Sequence, residues 1–258
     1  MSFAVFNLSS RIAAGVNALG YVEPTPIQKQ SIPPIMAGRD VMGLAQTGTG
    51  KTAAFALPIL HRLEIGSRKR TRALILAPTR ELAEQIHQSF RELGKETRLR
   101  SVAIYGGVGQ APQTNALLSG TEIVVACPGR LLDHMQQGHA DFSHVEVLVL
   151  DEADRMFDMG FLPDIRRIIS ALPSGPALGR RQTLLFSATM PDDIRMLAND
   201  VLHEPLTVQI GEVSPAETVS HVAFPVAPHQ KTAFLTALLN DASMQSVLVF
   251  TRTKHRAK

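Results

Sequence analysis

The 258-residue chain has no tryptophan, two tyrosines and one cysteine. A single cysteine cannot close an internal disulfide, and such sparing use points to a reducing compartment, the cytoplasm. Without tryptophan and with little tyrosine, the chain lacks the aromatic platforms on which many single-strand binders stack bases. None of the nine histidines stands in a metal-ligand spacing such as His-Glu-x-x-His, so no structural metal site is expected. No run of about eighteen apolar residues occurs, which excludes a transmembrane helix. The start, Met1-Ser2-Phe3-Ala4-Val5-Phe6, lacks the basic beginning and long apolar stretch of a signal peptide. Neither sign of charge dominates: a net charge of +3 with a pI near 9.2 suits a nucleic-acid partner without establishing one.

Hydrophobic residues make up 45% of the chain, enough for a packed core. From Asp40 to Val208 short apolar runs alternate with amphipathic helical patterns, as in an α/β fold with a doubly wound parallel sheet. Strands are predicted over Val41–Leu44, Ala73–Leu76, Ser101–Ile104, Glu122–Ala126 and Val145–Leu150. Two helices precede this region, near Ser10–Leu19 and Thr25–Met36. Later in the chain a strand is predicted over Val219–Val226, a helix near His229–Asn240 and a strand over Ser246–Thr251.

The sharpest signal is Ala45-Gln46-Thr47-Gly48-Thr49-Gly50-Lys51-Thr52, placed between a strand and a helix. That is the setting of a phosphate-cradling P-loop, with Ala45 where the first glycine is usual. Gly48 and Gly50 let successive N–H groups turn toward phosphate oxygens, and the helix N-terminus adds its dipole. Lys51 is expected to reach the β- and γ-phosphates and Thr52 to touch Mg²⁺. The second signal is Asp151-Glu152-Ala153-Asp154, at the carboxyl end of an apolar strand. Ligands of open parallel sheets bind at that rim. Asp151 is then the Mg²⁺ partner, and Glu152 the group that orients or polarises the attacking water.

Together these motifs resemble the DEAD-box family of ATP-dependent RNA helicases, whose name is the four letters at 151–154. Phe3, Gly20-Tyr21 and Pro24-Thr25-Pro26-Ile27-Gln28 resemble the family's Q motif. Ala77-Pro78-Thr79-Arg80-Glu81-Leu82-Ala83 resembles motif Ia, and Gly106-Gly107 the GG motif. Pro128-Gly129-Arg130 matches most of Thr-Pro-Gly-Arg, with Cys127 in place of threonine. Ser187-Ala188-Thr189 resembles motif III, and Val247 to Arg252 resembles motif IV. Several phrases are most similar to bacterial helicases of the RhlE type.

The resemblance implies a RecA-like P-loop domain at 40–210, preceded by its own N-terminal helices and Q motif at 1–39. A linker follows at 211–218, then the first β-α-β elements of a second RecA-like domain at 219–258. No His-Arg-x-Gly-Arg segment appears, so the reading expects a chain truncated within that second domain. The resemblance implies ATP and Mg²⁺ as cofactors. Phe3, Tyr21, Thr25 and Gln28 join residues 46–52 as nucleotide contacts, with Tyr21 stacking on the base. The Gln28 amide matches the donor and acceptor of adenine's N6 and N7 edge. RNA backbone is expected on Pro78, Thr79, Arg80, Gly106, Gly107, Pro128, Gly129 and Arg130. Such backbone N–H, hydroxyl and guanidinium groups suit phosphates and sugars rather than base edges.

Asp154, Ser187 and Thr189 are expected to couple ATP state to RNA. Thr79 and Thr189 also read as helix N-caps, the latter with Pro191 and Asp192 opening a helix. Met156, Phe157, Met159, Phe161 and Leu162 read as packing around a helix break at Gly160. The implied function is local unwinding of short RNA duplexes, in ribosome assembly or RNA turnover, with proteins of those processes as partners. A DNA helicase on the same fold is a competing class. For the truncated chain the alternative is a nucleotide-binding module or RNA clamp without helicase activity.

Overall fold

The computed structural model describes residues 2–173, 181–211, 220, 222–241, 244–251 and 253. Among the described residues there are seven strands: β1 (Val41–Leu44), β2 (Ala73–Leu76), β3 (Ser101–Ile104), β4 (Ile123–Ala126), β5 (Val147–Leu150), β6 (Gln182–Ser187) and β7 (Leu206–Gln209). They form one parallel sheet in the order β3-β4-β2-β5-β6-β1-β7. Successive side chains on a strand point to opposite faces. Accordingly Ala73, Ile75, Val147 and Val149 enter one core cluster, and Leu74, Leu76, Leu148 and Leu150 enter the other. A sheet covered on both faces needs apolar side chains in every position, which is why β2, β4 and β5 read Ala-Leu-Ile-Leu, Ile-Val-Val-Ala and Val-Leu-Val-Leu.

The first core is closed by α1 (Ser10–Ala18), α2 (Pro26–Met36), α3 (Lys51–Leu63) and α4 (Arg80–Leu93). Gly15 lets α1 approach α4: a Cβ there would stand 2.2 Å from the Leu93 carbonyl oxygen. Gln182, buried at the start of β6, donates to the carbonyls of Ile35 (3.0 Å) and Arg39 (2.6 Å), so the N-terminal helices are tied to the sheet. The second core lies against α6 (Pro128–Gln136), α7 (Ala153–Asp158), α8 (Leu162–Ser170) and α9 (Asp192–Val201), with α5 (Gln110–Leu118) beside β3.

The strands predicted between Val41 and Leu150 stand with small shifts. β4 begins at Ile123, one residue after Glu122, whose carboxylate accepts from the Lys69 and Arg100 N–H groups. β5 begins at Val147, after Glu146 has paired with Arg72 (Nε–Oε1 2.5 Å). Around Gly160 (φ 79°) the chain does break between α7 and α8, but Met159 is exposed rather than packed.

The chain divides into two compact units, Met1–Val213 and Ser214–Lys258. In the second, α10 (Lys231–Leu239) follows a 3-10 turn at Pro228–Gln230, and Phe224 meets Phe234 with ring centroids 5.0 Å apart. The strands expected over 219–226 and 246–251 are a correction: no described residue of either is in a strand. A strand exists by its ladder, and neither segment has a ladder partner among the described residues. Val219 and Arg252, like all of the expected linker except Gly211, lie outside the described residues.

Candidate nucleotide and phosphate-track site

β1 delivers the chain to the rim of the sheet at Ala45, whose N–H donates to the Ser187 carbonyl at 3.1 Å. Gly48 (φ 83°) and Gly50 (φ 93°) take left-handed conformations that bend the loop before α3 begins at Lys51. At Gly50 a side chain is excluded twice, because a Cβ would also lie 2.5 Å from Gln28 Nε2. The Thr49 hydroxyl donates to the Gln46 carbonyl at 2.8 Å. Lys51 is buried, and its ammonium donates to the Ala45 carbonyl at 2.8 Å. Thr52 stands half-buried in the first turn of α3.

Asp151 follows β5 on the same rim and is 2% exposed. Burial pushes its carboxyl up to about 6, Lys51 pulls it back down, and Glu152 adds to the rise. Glu152 is strained into the left-handed region (φ 49°). Its carboxylate accepts from the Thr47 hydroxyl at 3.4 Å and pairs with Arg155 at 3.3 Å. Phosphate loop and acidic motif thus meet through Thr47 and Glu152. Nothing in the sequence marked Thr47 for that contact. Arg155 carried a signal, since three residues along a helix share a face.

β6 lies between β1 and β5, and its last residue, Ser187, pairs in register with Leu44. The Ser187 hydroxyl accepts from the Asp154 N–H at 3.2 Å. Thr189 donates to Asp154 Oδ2 through both its N–H and its hydroxyl, each at 2.9 Å. Burial alone would raise the Asp154 carboxyl, but the hydrogen bonds from Thr189 and Ser187 outweigh it and hold it below the ordinary carboxylate range. Thr189 therefore is not the N-cap of α9; that place is Pro191, and the threonine is spent on Asp154.

Thr25 and Gln28 open α2. Gln28 accepts from the Thr25 N–H at 2.9 Å and donates to the Gly50 carbonyl at 3.1 Å. The buried amide is thus a brace between this helix and the phosphate loop, with one N–H and one oxygen lone pair left over. Phe3 is buried and Tyr21 is 39% exposed, their centroids 5.9 Å apart. They line a cavity of about 580 Å³ with Asn7 and Gly20.

The remaining predicted residues stand where β2, β3 and β4 end. After Pro78, the Thr79 hydroxyl accepts from the Leu82 N–H at 3.3 Å and caps α4. Arg80 is paired with Glu81 at 2.6 Å. Gly106 and Gly107 (φ 85°) follow β3, held by buried Gln113, which exchanges two 3.1 Å bonds with the Tyr105 backbone. Sequence reasoning passed over Gln113, an unremarkable letter in a helix. Pro128, Gly129 and Arg130 form the first turn of α6; a Cβ on Gly106 would be 3.9 Å from Arg130 Nη2, so the two motifs are neighbours. Arg130 Nη1 is buried without a hydrogen-bond partner. Cys127 occupies the N-cap without a capping bond, and its thiol is raised to about 11 by burial and then by the Glu81 charge.

These side chains fit a magnesium nucleotide. A buried ammonium and a buried carboxylate share one rim without a direct ion pair, and the Lys51 charge offsets only part of the cost of burying Asp151. The Thr25 hydroxyl, beside Gly50, is buried without a hydrogen-bond partner.

Comparison with known proteins agrees with this arrangement. The DEAD/DEAH box helicase family profile matches residues 25–197. The chain is 43% identical over 256 residues to the ATP-dependent RNA helicase CshA of Listeria monocytogenes, covering 98% of this chain and 48% of that protein. It is 42% identical to DeaD of Escherichia coli, over 98% of this chain and 40% of that protein. It is 40% identical to the DEAD-box helicase RhpA of Helicobacter pylori, over 99% and 51%. These names lend nothing to the finer likeness to RhlE-type helicases. The chain spans about half the length of these curated relatives.

Among solved structures, it resembles a DEAD box protein from Methanococcus jannaschii (TM-score 0.75, 33% identity, 93% of this chain and 64% of that one). It also resembles a hypothetical ATP-dependent RNA helicase from Sulfolobus tokodaii (TM-score 0.71, 35% identity, 79% and 57%). With a RecA-like sheet, a phosphate loop and an Asp-Glu-Ala-Asp motif on one rim, this chain belongs to the DEAD/DEAH box helicase family.

Proposed function

We propose that this chain is the ATP- and RNA-binding part of an RNA helicase that couples ATP hydrolysis to local opening of short RNA duplexes. The observation that carries the reading is the bonded chain from phosphate loop to motif III: Thr47 to Glu152, then Asp154 to Ser187 and Thr189. It joins the phosphate loop to the acidic motif, and that motif to Ser187 and Thr189, the residues proposed to couple ATP state to RNA.

In this reading residues 46–52 cradle the phosphates, and Lys51 neutralises charge at the β- and γ-positions. Thr52 and Asp151 would hold Mg²⁺ by way of the nucleotide and water. Bound Mg²⁺–ATP supplies the phosphoanhydride bond and a cation that favours the Asp151 carboxylate form. Glu152 orients the attacking water and accepts its proton. Gln28 uses its spare N–H and lone pair on adenine, with Tyr21 against the base and Phe3 behind it. Pro78, Thr79, Arg80, Gly106, Gly107, Pro128, Gly129 and Arg130 hold an RNA strand by its backbone, without sequence preference. We further propose domain limits at 1–39, 40–210, 211–218 and 219–258, a cytoplasmic location, and ribosome assembly or RNA turnover as the process. No helix among the described residues is long and apolar enough to cross a membrane.

The test is ATP turnover with and without single-stranded RNA, on this chain and on a longer one of the relatives' length, each with and without Glu152→Gln. In the longer chain the reading expects RNA-stimulated turnover that Glu152→Gln abolishes while nucleotide binding stays; in this chain alone it expects nucleotide binding with little RNA-stimulated turnover. ATP binding by the longer chain with no RNA effect on either binding or turnover would leave a nucleotide-binding module instead.

A further inference from the structure

The opposite rim of the sheet, where β2, β3 and β4 begin, carries a cavity of about 570 Å³ lined by Arg11, Arg68, Lys69, Arg98, Arg100 and Glu122. Five cations meet one carboxylate there. Glu122 is 2% exposed and already engaged: it accepts from the Lys69 N–H (3.0 Å) and the Arg100 N–H (3.1 Å) and lies 3.7 Å from Arg100 Nε. Arg11 is balanced by Glu64 at 3.8 Å. Arg68, Lys69 and Arg98 have no acidic partner among the described residues. Arg70 points elsewhere, to His144.

The cluster is held in place. The Lys69 backbone has φ 60°, a conformation costly for a side chain with a Cβ. It is fixed by the bond to Glu122 and by packing on Gly120, where a Cβ would stand 1.9 Å from the Lys69 carbonyl oxygen. Arg100 is anchored to the carbonyls of Ser119 (3.2 Å) and Gly120 (3.3 Å). Arg68 Nη1 is buried without a hydrogen-bond partner. A buried guanidinium N–H left unpaired costs free energy, and unpaired like charges in one concavity repel. An anion seated in the cavity offsets that repulsion. The available groups are donors only, and no aromatic ring lines the cavity, so the chemistry selects phosphate oxygens rather than bases.

We propose that this cavity is a second phosphate-binding site, remote from the nucleotide rim, which takes either backbone phosphates of RNA or a free polyphosphate. The RNA source rests on the RNA-binding reading above; the phosphate site does not.

The experiment compares the unaltered chain with Arg68→Ala/Arg98→Ala, using a labelled single-stranded RNA by anisotropy and inorganic tripolyphosphate by calorimetry. ADP binding and the thermal melt are followed alongside. The expected result is tripolyphosphate binding weakened roughly 5- to 20-fold, ADP binding unchanged, and, for the RNA source, an RNA salt slope reduced by about 1–2. Weaker tripolyphosphate with unaltered RNA affinity assigns the site to free polyphosphate. Unaltered affinity for both overturns the proposal. Arg130→Ala separates the two readings: if it alone weakens RNA, the nucleotide-rim reading stands and the RNA source of this site falls. Should the chain bind no RNA at all, the tripolyphosphate arm decides. Arg98→Ala, on an exposed side chain, serves if the double variant does not fold.

Discussion

Thr189 gives both its backbone N–H and its hydroxyl to the same oxygen of Asp154, each bond 2.9 Å long. Thr189→Val keeps the shape and the N–H but removes the hydroxyl. The loss of one hydrogen bond to a partly exposed carboxylate is expected to cost about 0.5–1.5 kcal/mol, or roughly 2–5 °C in the melt. Asp154 is held low by these bonds against its burial, so their contribution is present above the ordinary carboxylate range and fades as pH falls through the lowered value. Melts of the two proteins at neutral pH and at about pH 3 should therefore converge in acid. Parallel curves at all pH values would contradict the assignment.

Asp151 has the opposite sign. Its carboxyl is raised to about 6 by burial, so the folded protein prefers the protonated form. Stability from that group is greatest below the unfolded carboxylate value and is lost as pH rises through about 6. Asp151→Asn is thus expected to raise stability at pH 8, by at most about 3 kcal/mol, with little gain near pH 4. The same substitution should abolish Mg²⁺-dependent nucleotide binding. A destabilised Asp151→Asn at pH 8 would show that the carboxylate has a structural partner.

Gln28 joins Thr25 to Gly50, and a second variant probes the same contact from the other side. Gln28→Ala should lower stability by about 1–2 kcal/mol through two lost hydrogen bonds. It should also erode a preference for ADP over GDP by about 1–3 kcal/mol. Gly50→Ala, which meets both a positive φ and the Gln28 amide, should weaken ADP binding more than Gln28→Ala does, because it also distorts the phosphate loop. Calorimetry with both nucleotides distinguishes them: equal affinity of the unaltered chain for ADP and GDP would remove the base-reading role and leave only the brace.

Cys127 sits at an N-cap but makes no cap bond, and its thiol is raised to about 11. Iodoacetamide should label it slowly at pH 8, since the thiolate is the reacting form. Cys127→Thr should stabilise α6 by about 0.5–1 kcal/mol through a hydroxyl cap. Fast labelling or a destabilised threonine variant would contradict the geometry.

Much of this was legible because it is local. Strand-sized apolar runs bounded by turn residues located β1, β2 and β3, and the glycines at 48 and 50 announced left-handed backbone. What local pattern could not give was contact between distant segments. Gln28 looked like a free adenine reader because its amide is chemically matched to that edge; the bonds to Thr25 and Gly50 depend on how α2 meets the loop. Thr189 carried a cap signature, and a carboxylate 35 residues away competed for it and won. The apolar stretch Val247–Phe250 read as a strand by composition alone, but strands need neighbours and none of its described residues has one.

Gly15 bears on how the domain can be cut. The missing Cβ lets α1 rest directly on the backbone at Leu93, at the far end of the helix that Thr79 caps. Gln182 adds two bonds from the sheet, one to the last turn of α2 and one to the residues after it. A shortened protein beginning at β1 would keep every phosphate-loop residue and still expose Leu93, strip partners from Gln182 and release the Gln28 brace. Limited proteolysis should accordingly spare residues 2–39 for as long as the sheet survives, and their loss should coincide with global unfolding rather than precede it.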